Sequence, residues 1–170
     1  TISYHYSLKG DIENTDKYAR KGIQFISKYI SPQDLQIAEL LNYKMLARRG
    51  FSSGLIRPED MNEYLELAKT NYNLRKKIQG SAHQNTIEAR RNLANIYIDL
   101  DQFNQGLDLI KENIELTNKT YGPNSPEKLE ESINLVRVYR DKLNDLRNAL
   151  PLALDNYERV INVFGENSIQ

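Results

Sequence analysis

An all-α stack of antiparallel helix pairs is the fold class this sequence predicts, and three observations predict it. Glycine-led turns recur at a fixed period, apolar residues inside each period follow helical spacing, and chemically matching residues return one period later. The turns are Gly80-Ser81-Ala82-His83, Gly122-Pro123-Asn124-Ser125 and Gly165-Glu166-Asn167-Ser168, 42 and 43 residues apart. Displacing the chain by 42 puts Ile87 on Leu129, Leu93 on Leu135, Ala94 on Val136 and Tyr97 on Tyr139. Past Asp101 the displacement becomes 43, with Phe103 on Leu146, Leu107 on Leu150, Ile114 on Tyr157 and Tyr121 on Phe164. One residue inserted between two helices accounts for the change. Such a period marks a repeat array, in which each unit buries its apolar faces only against its neighbours.

From the N-terminus, residues 1–30 read as a partial repeat: Tyr6-Ser7-Leu8-Lys9-Gly10-Asp11-Ile12 is the end of one helix, a turn, and entry into a helix reaching about Tyr29. Residues 31–79 are the next repeat. Ser31-Pro32 supplies an N-cap and a proline at the first helical position, starting a helix that carries Leu35, Leu41 and Met45. Those three lie 52 residues before Ile87, Leu93 and Tyr97. The surplus is an insertion at 50–58, Gly50 to Pro58, ahead of a helix from about Glu59 to Lys77. Residues 80–121 and 122–164 are full repeats, and 165–170 read as the start of a further one. Ile87, Ala94 and Tyr97, then Phe103, Leu107, Ile110 and Ile114, fall on i, i+3, i+4, i+7 rows. Glycine after each second helix suits a left-handed C-terminal cap, and Ser125-Pro126 repeats the N-cap pattern. Pro151 deep in a helix would cost about 3 kcal/mol, so its helix is expected to begin near Asn148 or to kink. Neither terminus reads as a polar capping helix, so the chain is expected to continue both ways or to be covered by partners.

Composition narrows the function. The 170 residues are 39% hydrophobic and 27% charged, with 23 Lys+Arg balancing 23 Asp+Glu. No run nears the roughly 18 apolar residues of a bilayer span, and zero net charge is poorly suited to gripping phosphate backbones. Zero Cys removes disulfides and thiolate chemistry, and only His5 and His83 supply imidazole. No metal site, cofactor, nucleic acid or membrane partner is expected, and a cytoplasmic setting is. No phosphate loop, nucleophile elbow or paired-His motif appears. Glu130-Glu131 and Asp99-Asp101 read as solvated helix faces, and His83 as an N-capping or turn residue. No catalytic residue is assigned.

Leu93-Ala94-x2-Tyr97, Leu135-Val136-x2-Tyr139 and Tyr6-x3-Gly10 resemble the tetratricopeptide-repeat signature. The 42-residue period, with His83 or Ser125-Pro126 after the glycine, is similar to the longer repeats of kinesin light chains, and Gly80 to Tyr97 matches best. The sequence departs from the signature in lacking Trp, in placing Val136 at a small-residue position, and in offering only Leu46-Ala47, in shifted register, after Ser31. The resemblance implies a right-handed α-solenoid, a TPR-like superhelix whose first helices line a concave surface, and a role in binding proteins or peptides.

The first helices carry a polar stripe. Glu88, Asn92, Asn95 and Asp99 are spaced 4, 3, 4 on one helical face, and Glu130, Asn134, Arg137 and Asp141 repeat it 42 residues later. In a stack of helix pairs these would line one groove, with Arg91 beside them, and Asn there can both donate to and accept from an extended peptide. The bland alternative is an ordinary exposed face repeated by duplication. Acidic residues beside Arg91 and Arg137 argue against an acidic C-terminal tail as ligand, so the partner expected is an extended protein or peptide segment that is not strongly acidic. Phe51, Leu55 and Ile56 of the insertion are candidate contacts, folding over the groove or onto a partner; the alternative is a simple mobile connection or an extension of the preceding helix. The expected function is a binding scaffold. The alternatives are a peptide-sensing regulatory domain of a larger signalling or transcription-control protein and, at the margin, an enzyme using the groove carboxylates.

Overall fold

The computed structural model describes residues 5–6, 9, 11–29 and 61–164. Six α-helices and one π-helical segment run through them: α1 Ile12–Tyr29, α2 Met61–Gln79, α3 Gln84–Asp99, α4 Phe103–Tyr121, α5 Pro126–Arg137, the π segment Val138–Lys142, and α6 Leu146–Phe164. No strand occurs among the described residues. Helix α2 stands where one from about Glu59 to Lys77 is expected. The insertion 50–58, the helix after Ser31-Pro32 and residues 165–170 lie outside the described residues. The chain forms two compact units, Thr1–Ile96 and Tyr97–Gln170.

Turn chemistry decides where the helices stop and start. Gly80 and Gly122 take φ of +85° and +96°, and each N–H closes the preceding helix by donating to Lys76 O and Asn118 O. A side chain at either φ would be strained, which is why glycine stands there. His83 caps α3: its Nδ1 accepts from the Asn85 N–H at 3.2 Å and its carbonyl from Thr86 and Ile87. Ser125 caps α5, its Oγ accepting from the Lys128 N–H at 3.2 Å, with Pro126 at the first helical position. Asp11 and Asp145 cap α1 and α6 in one pattern. Asp11 Oδ1 accepts the Asn14 N–H and Oδ2 the Asn14 amide, and Asp145 does the same for Asn148. These bonds favour the ionised carboxylates and hold both pKa values below the ordinary range, with the Asn side chain as the leading cause.

The one-residue slip in period has a structural form. In the earlier hairpin the Gln102 N–H donates to Tyr97 O, as the Asp11 N–H does to Tyr6 O. In the later one it is the Asp145 N–H that donates to Tyr139 O, one residue farther on. The extra residue enters as the π-helical turn Val138–Lys142 at the end of α5, a usual way for a helix to absorb an insertion. Asp101 and Asn144, at φ of 58° and 50°, make the tight turns that follow. Helix α6 begins at Leu146, two residues before the expected start, because Asp145 caps it there; Pro151 falls inside the helix.

In the first unit α2 buries Met61, Tyr64, Leu65, Ala68 and Tyr72, an i, i+3, i+4 row, and α3 contributes Ile87, Leu93 and Ala94. In the second unit α4 packs on α5 and α5 on α6, burying Ile110, Leu135, Val138 and Ala149. Full burial of a side chain such as Ile110 contributes roughly 1.5–3 kcal/mol.

Candidate ligand-binding surface

The caps at His83 and Ser125 set the register of α3 and α5, and with it the orientation of the polar stripe. Glu88, Asp99, Glu130, Arg137 and Asp141 are exposed, and Arg91 and Asn95 half-buried. Asn92 and Asn134 are not surface residues: they are only 7% and 3% exposed. At about 100° per residue the second member of a 4, 3, 4 row lies about 40° to one side of the first, and Asn92 and Asn134, which hold that position, fall on the packed side. Asn134 Oδ1 accepts from Arg137 Nη2 at 2.6 Å, which fixes the direction of the guanidinium one turn on. The expectation that Asn92 and Asn134 themselves grip a ligand thus gives way, for Asn134, to an internal bond that steers an exposed cation. Phe51, Leu55 and Ile56 lie outside the described residues.

The acids of the stripe are not bare. Asp99 Oδ1 accepts from Lys142 Nζ at 2.9 Å, joining the end of α3 to the π segment. Asp141 receives Arg140 through two bonds, 2.6 and 3.0 Å, and that guanidinium is the chief reason its carboxyl is held low. Exposed pairs like these add little to stability, but they blunt the repulsion an anionic ligand would meet.

Sequence reasoning missed a buried polar layer. Glu131, read as part of a solvated face with Glu130, is fully buried, as is Arg90. Arg90 lies over the Tyr72 ring, 5.1 Å from its centroid, donates Nε to Tyr72 Oη at 3.2 Å, and sends Nη2 to Ser81 O at 3.4 Å. The second helices carry a buried asparagine at one repeat position: Asn71, Asn113 and Asn156, spaced by the same 42 and 43 as the glycines. That recurrence was visible in the sequence. Its burial was not. Asn71 Oδ1 accepts from Arg75 Nε at 3.0 Å, inside the first unit.

At the mouth of the later hairpin a cavity of about 10 Å³ opens between α5 and α6, room for a single water-sized group. Lys128, Leu129 and Ser132 line it from α5, and Asn156 and Arg159 from α6. Arg159 bonds Asp155 at 2.7 Å and crosses to Pro123 O at 3.1 Å and Asn124 Oδ1 at 3.2 Å. No group of three or more His, Asp or Glu able to hold a metal occurs among the described residues, and none of their helices is long and apolar enough to cross a membrane.

Comparison with known proteins follows the fold. Residues 86–127 match a family model described as tetratricopeptide repeat. No curated protein matches the chain. A solved structure from Podosopora anserina, described as nearly identical TPR-like repeats of kinesin light chain type, superposes with a TM-score of 0.75 at 14% identity, over 95% of this chain and 72% of that one. BtubC (BKLC) from P. vanneervenii superposes with a TM-score of 0.70 at 15% identity, over 99% of this chain and 61% of its own. At such identities the likeness is one of fold. Turn geometry, period and superposition converge: residues 86–127 match a tetratricopeptide repeat, and the chain has an all-α solenoid fold like that of kinesin light chain repeats.

Proposed function

We propose that this chain is a protein- or peptide-binding scaffold, and that the polar stripe of α3 and the repeat of that stripe on α5 are each ligand-contact surfaces. Tetratricopeptide repeats in general build protein-interaction scaffolds. The observation that carries the finer reading is the exposure of a repeat-matched set, Glu88, Asp99, Glu130 and Asp141, with Arg137 held in a set direction by Asn134. With Lys142 paired to Asp99, Arg140 to Asp141, and Arg91 and Arg137 standing near Glu88 and Glu130, the surface suits a ligand of mixed charge. Arg91 and Asn95, half-buried, would touch the ligand at its edge.

The test is peptide affinity. Peptides selected against the wild-type chain from a random display library are measured by fluorescence anisotropy. Replacing Arg137 and Asp141 together by Ala should weaken the best binders about tenfold, while Lys119→Ala, an exposed change on α4, should not. Equal affinity in both variants removes the stripe as the site. A selection that returns only strongly acidic peptides removes the mixed-charge reading.

A further inference from the structure

We propose that the cavity between α5 and α6 at the mouth of the later hairpin is a binding site for one carboxylate group, held by Lys128 and Asn156. The inference is independent of the polar stripe, since none of these residues belongs to it.

The site exists because two successive hairpins fill one position differently. Ser132 stands 42 residues after Arg90, and Pro123 stands 42 after Ser81. In the earlier hairpin the buried guanidinium of Arg90 serves the Ser81 carbonyl. In the later one Ser132 is too short to reach the Pro123 carbonyl, Arg159 serves it from α6, and the volume of a long side chain is left partly empty. Asn156 lines that space while only 6% exposed, and neither its Nδ2 nor its Oδ1 has a hydrogen-bond partner. An unmet buried amide is costly and rare in folded proteins, so this one marks a place where a polar group is wanted.

Charge decides which group. The cavity opens at the N-terminus of α5, a helix of 12 residues, where the backbone dipole favours negative charge. Lys128 puts a cation there instead. Burial and the nearby Arg159 push its ammonium pKa down, and Asp155 offsets this only in part, being already bonded to Arg159. The backbone adds little. Pro126 has no N–H, and the Lys128 N–H is taken by Ser125 Oγ. The donors lining the cavity include the Lys128 ammonium, the Ser132 hydroxyl and the Asn156 amide, with Oδ1 of the last as acceptor for an ammonium proton. With Glu127 in the same turn and room for a single water-sized group, the site suits a monoanion that inserts one oxygen. A carboxylate meets that description, and a dianionic phosphate does not.

The carboxylate could be an Asp or Glu side chain of a bound segment or a free small acid, and one experiment separates them. The 15N-labelled 170-residue chain is titrated with acetate, and with chloride and phosphate at equal ionic strength, following the Asn156 side-chain amide and the Lys128 and Ser132 backbone signals. Acetate should give saturable shifts, and Lys128→Gln should weaken them at least tenfold; Lys128 is partly exposed, so this variant keeps the fold. Asn156→Asp, which places a like charge in the cavity, should abolish them. A short peptide with one internal Asp that outbinds its Asn counterpart by tenfold assigns the site to a segment; equal peptides beside a saturable acetate response assign it to a free acid. No saturable acetate response, an identical response to chloride or phosphate, or an unchanged Lys128→Gln titration overturns the proposal.

Discussion

The hairpin mouths at Gly80 and Gly122 share a turn and differ in what fills it. Each begins with a glycine at positive φ, and in each the carbonyl of the next residue accepts from an arginine. At the first mouth that arginine, Arg90, belongs to the first helix and is sealed in, its ring partner Tyr72 completing the cluster. At the second it is Arg159 of the second helix, anchored at the surface by Asp155, and the interior behind it stays open beside Asn156. The turn is a backbone solution and repeats with the period. The filling is a side-chain solution and does not repeat: Arg90 and its partner Tyr72 give way to Ser132 and Ile114, Leu116 to Arg159, and a cavity lies at the second mouth.

Removing the buried arginine should have the largest effect. Arg90→Ala deletes its packing and strips Tyr72 Oη and Ser81 O of a donor, so a loss of about 3 kcal/mol or more is expected in urea denaturation. Its counterpart Ser132→Ala should lose under about 1 kcal/mol. Equal losses would break the contrast between the mouths.

The buried asparagines sharpen it. Asn71→Leu takes the acceptor away from buried Arg75 and should cost about 2 kcal/mol. The same change at Asn156, whose amide lacks partners, should be neutral or stabilising by up to about 1 kcal/mol, measured in acetate-free buffer. A large loss at Asn156 would show that the amide is satisfied in solution. Below these come the features the mouths share: Gly80→Ala and Gly122→Ala each meet open space but keep positive φ, so each should cost about 1 kcal/mol by thermal melting, alike at both sites.

The smallest effect expected is a pH response shared by the caps at Asp11 and Asp145. Their pKa values are lower in the folded chain than in the unfolded one. Their contribution is therefore full above the ordinary carboxylate pKa, near 4, and fades as pH falls through the folded values. Melting temperatures of Asp145→Asn and wild type should differ at neutral pH and draw together on acidification. A gap that widens in acid would reverse the sign.

Much of the fold was legible because it rests on spacing. Glycine, serine-proline and tyrosine mark turns whatever surrounds them, and the 42-to-43 slip could be counted from matched residues. That the slip is a π turn within Val138–Lys142 rather than a longer loop was not legible, since either form needs the same one residue. The candidate surface was read less well. Counting by fours and threes puts Asn92 and Asn134 on a face but does not say how deep the next helix reaches. Likewise Leu146 and Leu150 repeat Phe103 and Leu107 in sequence, yet they are 51% and 58% exposed, while their counterparts on α4, which α5 packs against, are half-buried.

Local chemistry alone, then, settles where the rods of this protein begin, bend and end, because capping and left-handed turns involve neighbours a few residues apart. Which polar groups sink into the interior, and which arginine reaches a given carbonyl, depends on side chains distant in sequence competing for one volume. Only the assembled packing resolves that competition, and at the later hairpin it leaves a small space unfilled.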